Sequence, residues 1–134
     1  MLKCTTLCKI DWSELDLFGH VNNVMFFKYM QAARLRFCEE MGLSSLNKEN
    51  SLSFMVASSR CDFKEPLHYP GEVKVLTIAL WVKNTSFALS HQLYNNSSAH
   101  LAAVGEDVLV LYDYTKRSKV AVTPELRSMM VSEN

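Results

Sequence analysis

The strongest constraint on the fold is one long apolar segment, residues 24–41, which predicts a single helix. Its apolar side chains recur at spacings of three and four, the repeat of a helix. The positions on this repeat are Phe26, Met30, Ala33, Phe37 and Met41. Other apolar residues spread over most of the circumference, so the helix must be covered on nearly all sides. Asn22 or Asn23 can cap its start, and Gly42 suits the left-handed position after its end.

The remainder of the chain predicts strands that can provide this cover. We expect strands at residues 3–11, 52–65, 73–83, 86–94, 100–114 and 120–122. Residues 69–72 predict a type II turn, with Pro70 and Gly71 as its two central residues. Pro124 takes the first position of a terminal helix. Because consecutive hairpins pair antiparallel, the predicted fold class is α+β, a long central helix wrapped by a curved antiparallel sheet of five to six strands.

The apolar helix also predicts an oligomer. One small sheet can hardly cover such a helix and at the same time protect its own two edges. A second copy of the chain, pairing strand edge to strand edge, would meet both needs. We therefore expect a homo-oligomer, either a dimer or a dimer of dimers.

Length and charge limit the possible functions. The 134 residues suffice for one domain, which we take as residues 1–134. The 14 basic and 14 acidic residues give a formal net charge of zero, which disfavours a nucleic-acid partner. No apolar stretch approaches the roughly 20 residues that span a bilayer. The first residues lack the pattern of a signal peptide, so we expect a cytoplasmic location.

The cysteines and most of the histidines offer no obvious chemistry. The four cysteines form no Cys-x-x-Cys pair and predict reduced, half-buried thiols. His68, His91 and His100 lie in separate turns or strands and lack Glu or Cys partners at ligand spacing. No metal site is therefore expected.

The loop before the helix carries the motif with most chemical content. Residues 16–23 read Asp-Leu-Phe-Gly-His-Val-Asn-Asn, and an aromatic-rich helix follows as far as Ala33-Arg34. This combination resembles the hotdog-fold thioesterases of the 4-hydroxybenzoyl-CoA thioesterase type. The resemblance covers nearly the whole chain, through residues 63–66, 69–72 and the hairpin 81–87. It implies a hotdog fold and hydrolysis of an acyl-CoA or acyl-carrier-protein thioester, with no cofactor besides the coenzyme A of the substrate.

Thioester hydrolysis needs a carboxylate that attacks the carbonyl or activates water, and donors for the oxyanion. By resemblance, Asp16 is that carboxylate. The backbone N–H of Asn23 is the principal oxyanion donor, at a helix start where amides lack partners. His20 is a third catalytic candidate that could orient Asp16 or the substrate, or simply hold the loop. Without the resemblance, Asp16 would be interpreted as a loop residue that forms an Asx turn.

Six further residues are candidates for binding the substrate. They are Gly19, Asn22 and Phe26 in or beside the loop, and Lys83, Thr85 and Ser86 in the hairpin 81–87. Phe26 could line an acyl pocket or belong only to the core. The family often places contacts to the diphosphate of coenzyme A around this hairpin. Two other functions stay open: a non-hydrolytic protein that binds acyl thioesters, and a hotdog hydratase or dehydratase.

Overall fold

The structure, a computed structural model, describes residues 1–43 and 52–131. In chain order its elements are β1 (Lys3–Lys9), a 3-10 turn (Trp12–Glu14), α1 (Asn23–Glu40), β2 (Leu52–Phe63), β3 (Glu72–Val82), β4 (Ser86–Asn95), β5 (Leu101–Asp113), β6 (Ser118–Lys119) and α2 (Pro124–Met130). The strands form one antiparallel sheet in the order β1-β3-β4-β5-β2, with β6 paired to β5. The α+β prediction, one long helix against a six-stranded sheet, is confirmed.

Helix α1 begins and ends within one residue of the predicted range 24–41. Asn22 is the N-cap, and its side-chain oxygen accepts the N–H of Val24 at 3.1 Å. Gly42 follows the last turn with a φ of +80°, a conformation that favours glycine. One side of α1 packs against all five long strands. The other side, which includes Val24 and Leu35, is exposed. Within one chain, the helix is therefore not covered on nearly all sides.

The turn before β3 is not the predicted type II turn. That turn requires a positive φ at its third residue, and Gly71 is not among the residues with positive φ. The Tyr69–Pro70 peptide bond is cis. Gly71 instead avoids a close steric contact, because a Cβ at this position would lie 3.2 Å from the carbonyl oxygen of His68.

The last strand lies earlier than the predicted 120–122. The side-chain oxygen Oδ1 of Asp113 accepts the N–H groups of Thr115 and Lys116 at 2.9 and 3.0 Å. These bonds reverse the chain at once, so that Ser118 already pairs with Asp113. The predicted position was wrong because this tight turn needs fewer residues than the expected loop.

The core beneath α1 is divided into two apolar clusters. The N-terminal cluster surrounds the first half of α1 and includes Phe26, Met30 and Leu67. The C-terminal cluster surrounds the second half of α1, includes Phe37 and Phe87, and takes in the buried face of α2.

A layer of five polar side chains lies between the two clusters. Its members are Arg34, Ser59, Thr77, His91 and Asp107. Thr77 and His91 are flanked two positions away on their strands by one residue of each cluster, and side chains two apart on a strand share a face. We call these five residues the polar layer.

Asp107 is the centre of the polar layer. His91 Nε2 and Arg34 lie 2.8 and 3.1 Å from Asp107 Oδ2, and the Ser59 hydroxyl donates to Oδ1 at 2.6 Å. His91 Nδ1 lies 2.8 Å from the Thr77 hydroxyl. Burial alone would raise the pKa of Asp107, but the hydrogen bonds from His91 and Ser59 and the Arg34 guanidinium together lower it.

Candidate active site

The loop between the 3-10 turn and α1 is folded around the Asp16 carboxylate. Asp16 Oδ1 accepts the N–H groups of Phe18 and His20 at 2.8 and 3.1 Å. The backbone N–H of Asp16 donates to the His20 carbonyl at 2.7 Å, and that of Gly19 donates to the Asp16 carbonyl at 3.2 Å. Gly19 has a φ of +81°, which suits a residue without a Cβ. This is the Asx-turn geometry of a structural aspartate, but it uses only one oxygen: Oδ2 receives no hydrogen bond from the described residues.

Asn22 and Asn23 have different roles at the start of α1. The Asn22 side chain caps Val24, and its carbonyl accepts the N–H of Met25 at 2.9 Å. Asn23 is the first helical residue, and its N–H donates to no acceptor in residues 1–43 and 52–131. Amides at this position lack intrahelical partners and carry the positive end of the helix dipole. The Asn23 N–H is therefore an available donor.

A cleft of about 330 Å³ brings these groups together. Asp16, His20, Asn23 and Phe26 line one part of it, and Val21 and residues 63–66 at the end of β2 line the rest. The three catalytic candidates thus share one cleft with Phe26. Gly19 and Asn22 do not line the cleft but shape the loop and the helix start beside it.

Phe26 belongs to both the core and the cleft. Its ring is buried in the N-terminal cluster. It also meets the exposed Phe63 edge to face, with 5.1 Å between ring centroids. The two rings form an apolar wall in the cleft that also contains Asp16.

His20 contacts Asp16 through its backbone and not through its ring. The ring packs edge to face on His68, with 5.0 Å between centroids, where the two residues form a short antiparallel bridge. This arrangement ties the loop to the segment that precedes β3.

The hairpin predicted to bind coenzyme A lies at the other end of the sheet. The N–H of Lys83 donates to the Ser86 carbonyl at 2.7 Å, and its ammonium lies 4.5 Å from the Trp81 ring centroid. Arg127 of α2 donates to the Lys83 carbonyl at 2.9 Å. The hairpin thus packs beside α2 and the C-terminal cluster. Within one chain, Lys83, Thr85 and Ser86 do not line the cleft.

Sequence reasoning missed several residues near the cleft. Lys64 and Glu65 line it, and the Glu65 carboxylate lies 3.4 Å from His100. The resemblance includes residues 63–66, but it assigned neither Lys64 nor Glu65 a role in binding or catalysis. Glu14 was missed as well, although the spacing from Asp11 to Glu14 forms a capping box, which is a recognisable signal.

The four cysteines are poor candidates for a reactive group. Cys4 and Cys38 are buried and Cys8 and Cys61 half-buried, so the prediction of half-buried thiols was wrong for the first two. Burial raises the pKa of all four thiols, to about 12 for Cys38 and about 11 for Cys61, which suppresses the nucleophilic thiolate. In the part of the chain that the structure describes, no cluster of three metal-ligating side chains exists. None of the described helices is long and apolar enough to cross a membrane.

Sequence comparison identifies the family of this chain. The family model of the thioesterase-like superfamily matches residues 10–130, and the chain belongs to that superfamily. The uncharacterized protein YsmA of Bacillus subtilis (strain 168) is 27% identical over 122 residues, which cover 91% of this chain and 81% of YsmA.

Solved structures show the same fold. The PA2801 protein of Pseudomonas aeruginosa superposes with a TM-score of 0.85 at 23% identity, covering 95% of this chain and 97% of that one. The DHNA-CoA thioesterase of Staphylococcus aureus superposes with a TM-score of 0.82 at 18% identity, covering 96% and 89%. The hotdog fold implied by the sequence resemblance is confirmed.

Proposed function

We propose that this protein hydrolyses acyl-CoA thioesters, with Asp16 and the Asn23 backbone N–H as its catalytic groups. One observation carries the proposal. Asp16 and Asn23 both line one cleft, and among the described residues Asp16 Oδ2 accepts no hydrogen bond and the Asn23 N–H donates none. A carboxylate and an oxyanion donor are the groups that this hydrolysis needs. Membership of the thioesterase-like superfamily supports the same chemistry.

Asp16 can act as a general base or as a nucleophile. As a base, its Oδ2 takes a proton from water, whose oxygen adds to the thioester carbonyl carbon. The Asn23 N–H stabilises the resulting oxyanion. The C=O bond then re-forms, the C–S bond breaks, and the leaving thiolate takes the proton back from Asp16. As a nucleophile, Oδ2 itself adds to the carbonyl carbon, the thiolate leaves, and water hydrolyses the anhydride. Neither route requires a cofactor beyond the coenzyme A of the substrate.

The acyl group is proposed to lie along the apolar wall. Phe26 and Phe63 provide two ring surfaces, and Val21 and Pro66 extend the lining. Aromatic rings pack favourably on other rings, and one solved relative is named a DHNA-CoA thioesterase. Aromatic acyl-CoAs therefore belong among the first substrates to test, beside aliphatic ones and acyl-carrier-protein thioesters.

We propose that the working form is a homodimer or a dimer of dimers. Among the described residues, β2 is the last strand on its side of the sheet, and it exposes the apolar side chains Met55 and Val56. Val24 and Leu35 are exposed on α1. A second copy paired along β2 would cover an edge that otherwise invites uncontrolled association. If the hairpin that carries Lys83 binds coenzyme A at the cleft, it must come from another copy.

The direct test is thiol release from short-chain, long-chain and aromatic acyl-CoAs. We expect at least one thioester to release free thiol at a rate proportional to protein concentration. Saturable binding without thiol release would instead identify a non-hydrolytic binder. Hydration of an enoyl-CoA without thiol release would identify a hydratase. Either result would overturn the proposal.

The oligomer is tested by light scattering on the same preparation. We expect the mass of a dimer or a tetramer at micromolar concentration. A fully active monomer would contradict the shared-edge assembly. The four free cysteines suit a reducing compartment, and we propose that the protein acts in the cytoplasm.

A further inference from the structure

We propose that Glu14 is a positioning residue that fastens the Asp16 loop to α1. Its catalytic consequence rests on the proposed thioesterase function. Glu14 does not line the cleft, so it acts on the reaction only through the placement of Asp16 and of the helix start.

The Glu14 side chain is only 4% exposed and has three partners. Its Oε1 accepts the Asp11 N–H at 2.7 Å and the Tyr29 hydroxyl at 2.9 Å. Its Oε2 lies 2.8 Å from the Lys28 ammonium. Asp11 precedes the loop, whereas Lys28 and Tyr29 lie in the second turn of α1. One carboxylate therefore joins the two elements that border the loop.

The backbone of Glu14 adds a second connection. Its carbonyl accepts the N–H of Asn22, the N-cap, at 2.8 Å. Asn22 is adjacent to Asn23, and Glu14 is two residues before Asp16. We call these contacts of Glu14 the clamp. Through this one residue, the clamp holds the chain segment before Asp16 and the residue before Asn23.

The charge state of the clamp is stable. Burial alone would raise the pKa of Glu14, but the hydrogen bonds from Lys28, the Asp11 amide and Tyr29 lower it. Burial and the neighbouring Glu14 carboxylate raise the pKa of Tyr29, which keeps its phenol protonated as a donor. The clamp therefore stays intact across the neutral pH range.

The loop needs an external clamp because its tip is exposed. Leu17 is 99% exposed, and Phe18, one of the two donors to Asp16 Oδ1, is 83% exposed. The hydrogen bonds to Asp16 Oδ1 come from residues of the same loop, so they do not fix the position of the loop relative to α1. A displacement of about 1 Å in a catalytic group can lower a rate about 100-fold.

Two substitutions of Glu14 separate positioning from the loss of a charge. Glu14→Ala removes all three side-chain bonds. Glu14→Gln can keep both bonds to Oε1, since a carbonyl oxygen accepts from the Asp11 amide and the Tyr29 hydroxyl alike. Its amide would face Lys28, whose side chain is largely exposed and free to turn to solvent. Asp107→Asn is the matched control, because it disturbs an equally buried carboxylate outside the cleft.

The experiment measures amide hydrogen exchange at Phe18, His20 and Asn22 together with kcat and KM. We expect Glu14→Ala to speed exchange at these amides by about tenfold or more and to lower kcat by about 10- to 100-fold, with KM within about threefold. Glu14→Gln should return exchange and kcat to within about threefold of the unsubstituted protein. Asp107→Asn should leave both within about twofold, well below its melting temperature.

Four results would overturn the clamp. The first two concern Glu14→Ala: amide exchange that does not change, or exchange that becomes faster while kcat stays the same. The third is a folded Glu14→Gln protein whose exchange and kcat do not recover. The fourth is a loss of kcat in Asp107→Asn as large as that in Glu14→Ala. Failure of the proposed function would look different, since the unsubstituted protein would release no thiol. The exchange measurements would still decide whether Glu14 holds the loop.

Discussion

Two aspartates, Asp16 in the cleft and Asp107 in the polar layer, show how environment separates chemistry from structure. Asp16 uses one oxygen to shape its own loop and leaves the other without a donor among the described residues. Asp107 is fully buried, and three side-chain donors occupy both of its oxygens. A carboxylate with a free oxygen can take a proton or attack a carbonyl. A fully satisfied one contributes to the fold.

The same comparison explains why we do not propose the polar layer as a catalytic site. Thr77, His91 and Asp107 follow one another in the hydroxyl, imidazole and carboxylate order of many hydrolases. All three side chains are fully buried, so no substrate can reach the hydroxyl. Substitution of Asp16 should therefore lower the rate and leave the stability unchanged, whereas substitution of Asp107 should lower the stability and leave the rate unchanged.

The largest effect is expected for Asp16→Asn. Asparagine is nearly isosteric and its oxygen can still accept from Phe18 and His20, so the loop should stay folded. The uncharged side chain cannot act as base or nucleophile, and kcat should fall by about 10² to 10⁴. Steady-state kinetics and thermal melting check this prediction. Activity within a few-fold, at an unchanged melting temperature, would remove Asp16 from the mechanism.

The next effect concerns the Asn23 amide. Asn23→Pro deletes that N–H at the first helical position, where proline is best tolerated. The preceding Asn22 has a ψ of 136°, which is compatible with a following proline. We expect kcat to fall by about 10² to 10³. Asn23→Ala keeps the amide and is the control; equal activity in the two folded variants would reject the backbone role.

A substitution in the polar layer should show the reverse pattern. Asp107→Asn breaks a buried ion pair with Arg34 and should cost about 3 kcal/mol in the free energy of unfolding. That corresponds to a fall of roughly 10 °C in melting temperature. The kcat at a temperature well below melting should be preserved. A kcat loss as large as that of Asp16→Asn would show that the two regions are not separable.

The smallest effect is the response of stability to acid. The folded-state pKa of Asp107 lies below its ordinary value of 3.8, so its contribution is complete above that pH and is lost as pH falls through the folded pKa. The pKa of Glu14 is also lowered, from an ordinary value of 4.5, so protonation of Glu14 at low pH likewise reduces the stability of the fold. Denaturant titrations should show constant stability above about pH 5 and a decline below about pH 4. The decline should be shallower in Asp107→Asn; an identical slope would mean that Asp107 is not a source of acid sensitivity.

Four of the residues that line the cleft could be predicted from the sequence because they lie close together in the chain. Asp16, His20, Asn23 and Phe26 fall within eleven consecutive positions, and the helix start that brings them together has a recognisable cap. The strands were predictable from alternation and turn residues, although the bends before β3 and β6 depended on turn geometries that the sequence left open.

The polar layer could not be predicted in the same way. Arg34 and Asp107 are 73 positions apart, and their contact depends on how α1 lies across the sheet. Thr77 and His91 are buried polar residues on strands. From the sequence alone, they cannot be distinguished from polar residues on the solvent-facing side of a strand. Lys64 lies at the cleft because β2 ends there, and the resemblance over residues 63–66 did not by itself indicate this position.

The divided core has a consequence for how this protein can change over time. Contacts couple substitutions strongly only when residues touch or share partners. The N-terminal cluster holds Phe26 behind the cleft, while the C-terminal cluster packs α2 on the far side of the polar layer. Substitutions that reshape the apolar wall of the cleft should therefore leave the packing of the C-terminal cluster largely unchanged. The two halves of the core can thus change independently, because one shapes the cleft and the other holds α2 on the sheet.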